Sequence, residues 1–387
     1  MKKAIIIPIY LRLDSPEALP SSEGLSLSKR AIRSLRVLKD QDFMLILPVC
    51  FDLTGGSREG LFLEMDGFLR DELKGLWEGE TLIFSSQNEG PLRSTLGPSN
   101  SQGLHLLIGL KGFSKIRNTG LLLAQALASD VAIFIDNDEV VEDPKYLEIA
   151  CDYLNERWNG KVVNGKGGFY VNPEGTILLP PQHLWWRFMW NKMKLMNEVW
   201  RRILSSAERL IPSPVVLGGN LVLHRSLYSR VPFDPFIPRG EDTDYLINAS
   251  QQGFSLLFDK ELKIKHLPPE RTEAFFLGEL RGDIERFLYE RQKMKERSTL
   301  NLDPYPGYFM GSSLYAKAAV TSLLLGLDYL VKGEVKRAGQ CISHIRLLFQ
   351  KRSDVWSNYL KFTAYWKEVM EEIQEKGMKK ILEECRV

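Results

Sequence analysis

The 387-residue sequence has few cysteines and no excess of basic residues, so it lacks the features that mark thiolate metal sites, disulfide frameworks or nucleic-acid binding. Its four cysteines, Cys50, Cys151, Cys341 and Cys385, show no CxxC spacing, so they predict neither a zinc site nor a set of disulfides. With 51 basic and 49 acidic residues, the formal net charge is only +2, which gives no overall field to attract nucleic acid. We therefore expect a protein of the reducing cytoplasm that does not bind nucleic acid.

Long apolar runs are also missing. The run that follows Lys3 holds seven residues including a proline, and it lacks a small-residue cleavage site, so we interpret it as a first strand and not as a signal peptide. The most lipid-like stretch, residues 318–327, has about half the length that spans a bilayer. We predict no transmembrane segment. The stripe at residues 323–325 is interpreted first as a core or homo-oligomer contact, and second as a peripheral membrane-surface face.

No GxGxxG fingerprint or P-loop motif follows any apolar run, which argues against dinucleotide-binding and P-loop folds. The first 150 residues instead alternate between two periodicities. Apolar runs predict strands at residues 4–10, 43–50, 81–84 and 131–135. Helical spacing predicts helices over residues 26–38, 62–76 and 114–127. The Gly/Pro/Ser-rich stretch 88–103 predicts a loop. Buried strands separated by helices indicate an α/β fold with a mainly parallel sheet, in which ligands bind beyond the carboxyl ends of the strands.

The remainder of the chain changes texture twice. From about residue 161 it alternates strands, glycine turns and a Trp-rich stretch, and from residue 273 onward it is almost wholly helical in pattern. After a break at residues 301–307, three helices are predicted, over 312–332, 334–350 and 354–385. We therefore expect three parts, at residues 1–160, 161–272 and 273–387.

Two aspartates follow the apolar run at 131–135. Asp136 and Asp138 flank Asn137, and carboxylates crowded at a strand end repel one another unless a cation neutralises them. Carboxylate oxygens are the ligands that hard divalent cations prefer, so the pair indicates a metal site. An ordinary Asx turn is the alternative interpretation.

Two further features carry polar chemistry. Glu241 and Asp242 enter a predicted helix, where acidic side chains are favoured by the helix dipole and remain available for proton transfer. His266 ends a predicted strand, where an imidazole could complete a metal shell, contact phosphate, or be an ordinary polar strand residue.

In their order along residues 3–270, these motifs resemble nucleotide-sugar glycosyltransferases of GT-A fold, most closely glycosyltransferase family two and its relatives. "AIIIPIY" (4–10) resembles the opening strand of that family. "GFSKIRNTGLLLAQALASDVAIFIDNDE" (112–139) resembles the segment in which an Arg-Asn pair precedes the DXD motif. "LGGNLVLHRSLYSRVPFDPFIPRGEDTDYL" (217–246) is similar to the acceptor loop and the acidic ED motif. The usual D-D-G-S pattern is absent from the second strand, so the nucleotide stays open between UDP and GDP.

The resemblance implies an α/β fold of GT-A type, a Rossmann-like mixed sheet flanked by helices, with an α-helical C-terminal region. Residues 1–160 would bind the donor and 161–272 the acceptor. It also implies a set of site residues. Asp136, Asp138 and His266 would hold Mg²⁺ or Mn²⁺, and Asp242 would be the catalytic base with Glu241 beside it. The donor would contact Pro8, Tyr10, Asp52, Arg117, Asn118 and Asn137. The acceptor would contact Gly218, Gly219, Asn220 and Arg239.

The function that follows is transfer of a hexose from a nucleotide-diphosphate sugar to a hydroxyl acceptor, with a divalent cation on the leaving diphosphate. A retaining synthase of a small glycosylated acid, of the glycerate type, is an alternative within the same class. A sugar nucleotidyltransferase also uses two carboxylates and a metal. It should carry a Gly-rich signature with a basic residue after its first strand, which "IPIYLRLDSPEALP" lacks.

Overall fold

The computed structural model describes residues 1–53, 59–96, 101–181, 184–269, 273–297, 300–350 and 354–387. Its strands are β1 (Lys3–Ile6), β2 (Ile9–Leu13), β3 (Met44–Leu53), β4 (Thr81–Phe84), β5 (Val131–Phe134), β6 (Glu139–Val140), β7 (Arg157–Trp158), β8 (Lys161–Val171), β9 (Leu210–Pro212), β10 (Leu221–His224) and β11 (Ser255–His266). Its helices in the first 251 residues are α1 (Glu23–Ser34), α2 (Glu59–Leu73), α3 (Ser86–Thr95), α4 (Ser101–Leu107), α5 (Phe113–Ala126), α6 (Tyr146–Cys151), α7 (Lys192–Ser205), α8 (Arg225–Tyr228) and α9 (Glu241–Gln251). The C-terminal helices are α10 (Glu273–Arg297), α11 (Gly307–Met310), α12 (Leu314–Val331), α13 (Val335–Leu347), α14 (Val355–Lys376) and α15 (Lys379–Cys385).

The strands form one mixed sheet. Its order is β2-β3-β1-β5-β10-β8-β11-β6, and β4 pairs with the outer side of β3. In the order β4-β3-β1-β5, each strand runs parallel to its neighbour. Strand β10 runs antiparallel to both β5 and β8. The predicted architecture is confirmed: this is a mixed α/β sheet flanked by helices, with a helical C-terminal region.

Alternate residues of each central strand face opposite sides of the sheet, as the period of two requires. Ile5 and Leu45 belong to one buried apolar cluster, with side chains of α1, α2 and α6. Ile6 and Ile46 belong to the other, with side chains of α4, α5, α14 and α15. Because both faces are covered, the strands are near-continuous apolar runs, which is why they could be predicted.

The predicted strand 4–10 is divided into β1 and β2 at Pro8. Proline has no N–H to donate to a ladder, so pairing is interrupted there. After the break, β2 pairs with the second half of β3, beginning with Ile9 opposite Val49. The interruption places Pro8 at the carboxyl end of β1, where a ligand cavity is expected in such sheets.

The loop predicted over residues 88–103 is wrong in its described part, since α3 and α4 occupy it and only residues 97–100 lie outside the described residues. The N–H of Ser85 donates to Oδ1 of Asn88 (3.0 Å), which helps to cap α3. Leu92, Leu96 and Leu104 are buried against the sheet. The energy of burying these leucines outweighs the turn preference of the surrounding Gly, Pro and Ser residues.

The C-terminal helices complete one face of the sheet. Trp366 and Ile373 of α14 are buried in the same cluster as the sheet residues, and the indole Nε1 of Trp366 donates to the carbonyl of Tyr228 (2.8 Å). The predicted helix 354–385 is divided into α14 and α15 at Gly377, whose φ of +60° is left-handed. The last turn reaches the sheet edge, where Arg386 forms a bridge with Leu82.

Among the described residues, α12 is the one helix long and apolar enough to cross a membrane by length and composition. It is 44% buried inside the protein. Leu325 and Tyr329 lie on its buried side, whereas Leu323, Leu327 and Val331 are exposed. Buried core helices of water-soluble proteins share this length and composition.

Candidate active site

A cavity of about 390 Å³ opens beyond the carboxyl ends of β1 and β5. It is lined by Pro8, Tyr10, Phe113, Ile116, Arg117, Asp136, Asn137, Asp138, Arg239, Gly240, Glu241, Asp242 and Arg286. Most of the residues predicted from the sequence to form the site are therefore brought together, although the two acidic motifs are about a hundred positions apart in the chain.

Arg117, on α5, joins the two acidic motifs. Its Nη2 donates to Oδ1 of Asp136 (2.7 Å) and its Nε to Oε1 of Glu241 (3.2 Å). Its Nη1 donates to the carbonyl of Gly218 (2.9 Å). The buried guanidinium also lies over the ring of Phe134, 5.2 Å from its centroid. Burial alone would lower the pKa of Arg117, but Asp136 and then Glu241 raise it above its usual value, so this arginine is charged at every accessible pH.

Asp136, Asp138 and Glu139 form a cluster whose ligand oxygens all lie within 4.8 Å of one another. Glu139 was not predicted as a ligand, although it directly follows the DXD motif. It is fully buried at the start of β6. Its Oε2 accepts from the N–H of Asp136 (2.8 Å), and its Oε1 has no hydrogen-bond partner among the described residues.

The electrostatics of this cluster fit a divalent cation. Burial raises the pKa of Glu139 well above its usual value, and the neighbouring Asp136 and Asp138 raise it further. Burial also raises the pKa of Asp136, against the opposing effect of Arg117. Three carboxylates that destabilise one another's charge, with one oxygen unsatisfied, form a donor set that Mg²⁺ or Mn²⁺ would stabilise.

His266 lies beside the cluster. It ends β11, which pairs with β6 so that His266 stands opposite Glu139. Its Nε2 is 3.4 Å from Oδ2 of Asp138, and its ring stacks on Tyr170 with the centroids 4.7 Å apart. The Tyr170 hydroxyl accepts from the N–H of Gly219 (2.8 Å). The imidazole therefore lies next to Asp138, while the cluster of mutually close ligand atoms consists of the three carboxylates.

Because Gly219 has no side chain, the carboxylate of Glu139 can occupy the space next to its Cα. A Cβ at this position would stand 2.3 Å from both carboxylate oxygens of Glu139. The acceptor-loop glycine predicted from the sequence therefore packs directly against the carboxylate cluster.

Glu241 and Asp242 open helix α9. Gly240 precedes them with a φ of +71°, a left-handed conformation that favours glycine. Burial raises the pKa of Glu241, although the neighbouring Arg117 opposes the shift. The half-buried Asp242 accepts a hydrogen bond from the N–H of Thr243 at Oδ1 (2.6 Å). Glu241 is thus committed to Arg117, and Asp242 is the carboxylate of the pair that remains for chemistry in the cavity.

Two predicted contact residues lie behind the cavity. The Asn118 amide donates to the carbonyl of Phe233 (2.9 Å) and accepts from its N–H (2.8 Å). The Asn220 amide donates to the carbonyl of Phe169 (3.0 Å) and accepts from the hydroxyl of Tyr146 (2.9 Å). Both asparagines are fully buried, so they hold the backbone around the site.

Asp52 and Asn137 are two further residues that the sequence predicts as donor contacts. Asp52, the last residue but one of β3, is not among the residues that line the cavity; its Oδ1 is 3.3 Å from Nζ of Lys111 and its Oδ2 3.6 Å from Nε of Arg12. The amide of Asn137 donates to Oγ of Ser28 (3.2 Å) and so fastens the DXD turn to α1.

Four residues that line the cavity were not predicted: Phe113, Ile116, Gly240 and Arg286. The exposed ring of Phe113, at the start of α5, stacks on Tyr10 with centroids 6.3 Å apart. Arg286 comes from α10, in the C-terminal region that the sequence analysis placed outside the catalytic part. An exposed aromatic before the Arg-Asn pair is a signal that could have identified Phe113, whereas no local motif marks Arg286.

No protein-family model and no curated protein sequence matches the chain. Solved structures do resemble it. A mannosyltransferase from Pyrobaculum calidifontis in complex with GDP-Man and Mn²⁺ has a TM-score of 0.49 and 11% identity, covering 97% of this chain and 88% of that one. Glucosyl-3-phosphoglycerate synthase from Mycobacterium tuberculosis, in complex with Mn²⁺ and UDP-glucose, has a TM-score of 0.38 and 12% identity, covering 77% and 80%. A mycobacterial protein has a TM-score of 0.33 and 13% identity, covering 73% and 74%.

Two of these three structures hold a nucleotide sugar and Mn²⁺. Identities of 11–13% describe a likeness of fold alone. The described fold and cavity are those of an α/β protein with a mixed sheet, whose site joins a carboxylate cluster suited to a divalent cation with a second acidic pair.

Proposed function

We propose that the protein is a metal-dependent glycosyltransferase, which transfers a hexose from a UDP- or GDP-linked sugar to a hydroxyl acceptor. The observation that carries this proposal is the bond of Arg117 to both Asp136 and Glu241 within one cavity. A cation site and a general-base candidate are thereby held side by side, as transfer from a sugar diphosphate requires.

Asp136, Asp138 and Glu139, with His266, would hold Mg²⁺ or Mn²⁺, which would neutralise the charge that develops on the leaving diphosphate. On the donor, Asn137 and the stacked rings of Tyr10 and Phe113 would contact the nucleotide, with Pro8 and Asp52 nearby. Asn118 would act indirectly, through the backbone that it holds. This assigns the donor to residues 1–160.

Residues 161–272 would bind the acceptor. Asp242 would accept the proton of the acceptor hydroxyl as the oxygen attacks the anomeric carbon, while Glu241 keeps Arg117 in place. Gly218, Gly219 and Asn220 would shape the acceptor loop, and Arg239 would contact the acceptor at the cavity rim. In this inverting mechanism the base stands on the face opposite the leaving diphosphate.

The experiment is a thermal-shift and calorimetric screen of UDP- and GDP-sugars with and without Mn²⁺, on the wild type and three variants. A sugar nucleotide at a hundredfold excess over its dissociation constant should stabilise the folded protein by about 2.7 kcal/mol, and only with the cation present. Asp138→Ala should lose this stabilisation. Asp143→Ala changes an exposed carboxylate five positions further along and should keep it.

Asp242→Asn separates the two acidic sites. Its shape is preserved, so donor affinity should stay within a few-fold, while kcat and kcat/KM fall together by about 10²-fold or more because the base is lost. Tight binding of a sugar nucleotide in EDTA would refute the metal site. Turnover of Asp242→Asn above about a tenth of the wild-type rate would refute the base and favour the retaining alternative.

A further inference from the structure

Arg286 brings the C-terminal region into the site. It lies in the middle of α10, is 6% exposed, and lines the same cavity as Asp138 and Asp242. Its Nε donates to Oε1 of the fully buried Glu290 (2.8 Å). Its Nη2 is buried and has no hydrogen-bond partner among the described residues. A buried guanidinium N–H without a partner is costly. Because the same side chain lines the cavity, a small rotation of the guanidinium on a bound ligand would give this N–H a partner.

The chain makes room for this guanidinium. A Cβ at Gly240 would stand 2.1 Å from Cζ of Arg286, 2.2 Å from Nη1 and 2.3 Å from Nε. The guanidinium therefore packs on the bare backbone that precedes Glu241 and Asp242. The guanidinium is held at the start of α9. Little side-chain conformational entropy therefore remains to be lost when it binds a ligand.

The three arginines that line the cavity differ in what they have left to donate. Arg117 uses each of its three nitrogens on Asp136, Glu241 and Gly218. Arg239, at the rim, has its Nη2 3.7 Å from Oε1 of Glu279. Arg286 is thus a buried guanidinium that lines the cavity and has one N–H group without a partner among the described residues.

The charges around Arg286 are those of the acceptor side. Burial alone would lower its pKa, but Glu290, then Tyr305, Asp242 and Asp283 raise it well above the usual value. The guanidinium packs on Gly240, two residues before Asp242, so it lies on the Asp242 side of the cavity.

We propose that Arg286 binds an anionic group of the acceptor, a carboxylate or a phosphate. A planar guanidinium with a free N–H recognises either group through charge-assisted hydrogen bonds. The acceptor would then be a small hydroxy acid or a phosphorylated alcohol, whose hydroxyl reaches Asp242 while its anion is held by α10. This rests on the proposed function, since it takes the cavity to be the substrate site.

The test is calorimetric titration of inorganic phosphate and of D-glycerate into the full chain. Each probe is titrated with and without UDP or GDP and Mn²⁺, so that the donor phosphate position is filled in one arm. The variants are Arg286→Gln and the double variant Arg286→Gln/Glu290→Gln, which removes both partners of the buried pair and so protects the fold. Arg281→Gln is the matched control: it lies on the same helix and pairs with Glu285 at the same i,i+4 spacing, but its side chain is 53% exposed.

Wild type and Arg281→Gln should bind a probe in both arms, and both Arg286 variants should bind it at least tenfold more weakly. Probe affinities within threefold of wild type in the Arg286 variants would overturn the proposal, as would failure of the wild type to bind either probe. Loss of nucleotide–Mn²⁺ affinity alone would assign Arg286 to the donor diphosphate and overturn the acceptor role. If no nucleotide binds while probe binding still depends on Arg286, the anion site stands and the proposed glycosyl transfer fails.

Discussion

Arg117 should stabilise the folded protein and should also weaken the binding of Mn²⁺ to the neighbouring carboxylates. In Arg117→Met, the apolar part of the side chain is largely preserved, but Asp136 and Glu241 lose their shared cation. Removing one partner of a buried ion pair costs roughly 3–5 kcal/mol. The Asp136 side chain is 33% exposed and that of Glu241 12%, so solvent screens part of the loss. We expect a decrease of about 3 kcal/mol in the free energy of unfolding.

The same variant should bind Mn²⁺ more tightly. In the wild type, Nη2 of Arg117 occupies Oδ1 of Asp136 at 2.7 Å and opposes a second cation nearby. Two unit charges about 4 Å apart interact by roughly 4 kcal/mol at an effective dielectric constant near 20. Even a fraction of that repulsion corresponds to an increase in Mn²⁺ affinity on the order of tenfold in Arg117→Met.

Urea denaturation with and without Mn²⁺ measures both effects in one assay. Arg209→Met is the matched control, because Arg209 also binds a buried carboxylate (Nε to Oδ1 of Asp259, 3.0 Å) but lies away from the cavity, and Asp259 keeps Lys166 at 2.9 Å. Arg209→Met should lose less stability than Arg117→Met, and Mn²⁺ should stabilise it no more than it stabilises the wild type. A loss below about 1 kcal/mol in Arg117→Met, or Mn²⁺ stabilisation no larger than in the wild type, would refute the reasoning.

Two other predictions concern stability. Burial raises the pKa of Glu290 from 4.5 to about 7, so the folded protein keeps a proton that the unfolded chain releases, and this contribution to stability is lost as pH rises through that window. Between pH 4.5 and 8, the free energy of unfolding of Glu290→Gln should therefore increase by roughly 2–3 kcal/mol relative to that of the wild type, as measured by urea denaturation. A difference between the two proteins that does not change with pH would contradict this. In the C-terminal region, Trp366→Ala should cost about 3–5 kcal/mol by creating a cavity under the sheet. Leu360→Ala, at an exposed position of the same helix, should cost less than about 1 kcal/mol, and equal effects in thermal denaturation would mean that α14 is not packed as described.

The parallel strands were predictable because they are buried on both faces. Residues 81–84 match β4, and the run 131–135 ends one residue beyond β5. Composition alone was a poor guide where no periodicity was assigned. In residues 88–103 the glycines, prolines and serines suggested a loop, yet α3 and α4 extend into this range, and the buried Leu92 belongs to α3. Long-range burial, which decides such cases, is not visible in a local window.

Four acidic residues of the site, Asp136, Asp138, Glu241 and Asp242, were predictable from their positions at element ends, but Glu139 and the buried partners of these residues were not. Two pairs on α10 make the reason clear. Arg281–Glu285 and Arg286–Glu290 have the same residue types at the same spacing. The arginine side chain is 53% exposed in the first pair and 7% exposed in the second. Only the packing of α10 against the cavity separates a solvated surface pair from a buried one, so Arg286 could not be identified from sequence.

Helix α10 also explains why the C-terminal region cannot be treated as an appendage to the catalytic part. Its Lys293 is fully buried, with Nζ 2.6 Å from Oδ2 of Asp234 and 2.7 Å from Oδ1 of Asp244. Asp244 lies on α9, two residues after Asp242, so the ion pair fixes the helix that presents the proposed base. Without Lys293, burial and Asp234 would both oppose the charge on Asp244, whose pKa is already raised to about 6 with the lysine present. The start of α9 is therefore held from two sides, by Arg117 through Glu241 and by Lys293 through Asp244, and the second of these holds comes from the C-terminal region.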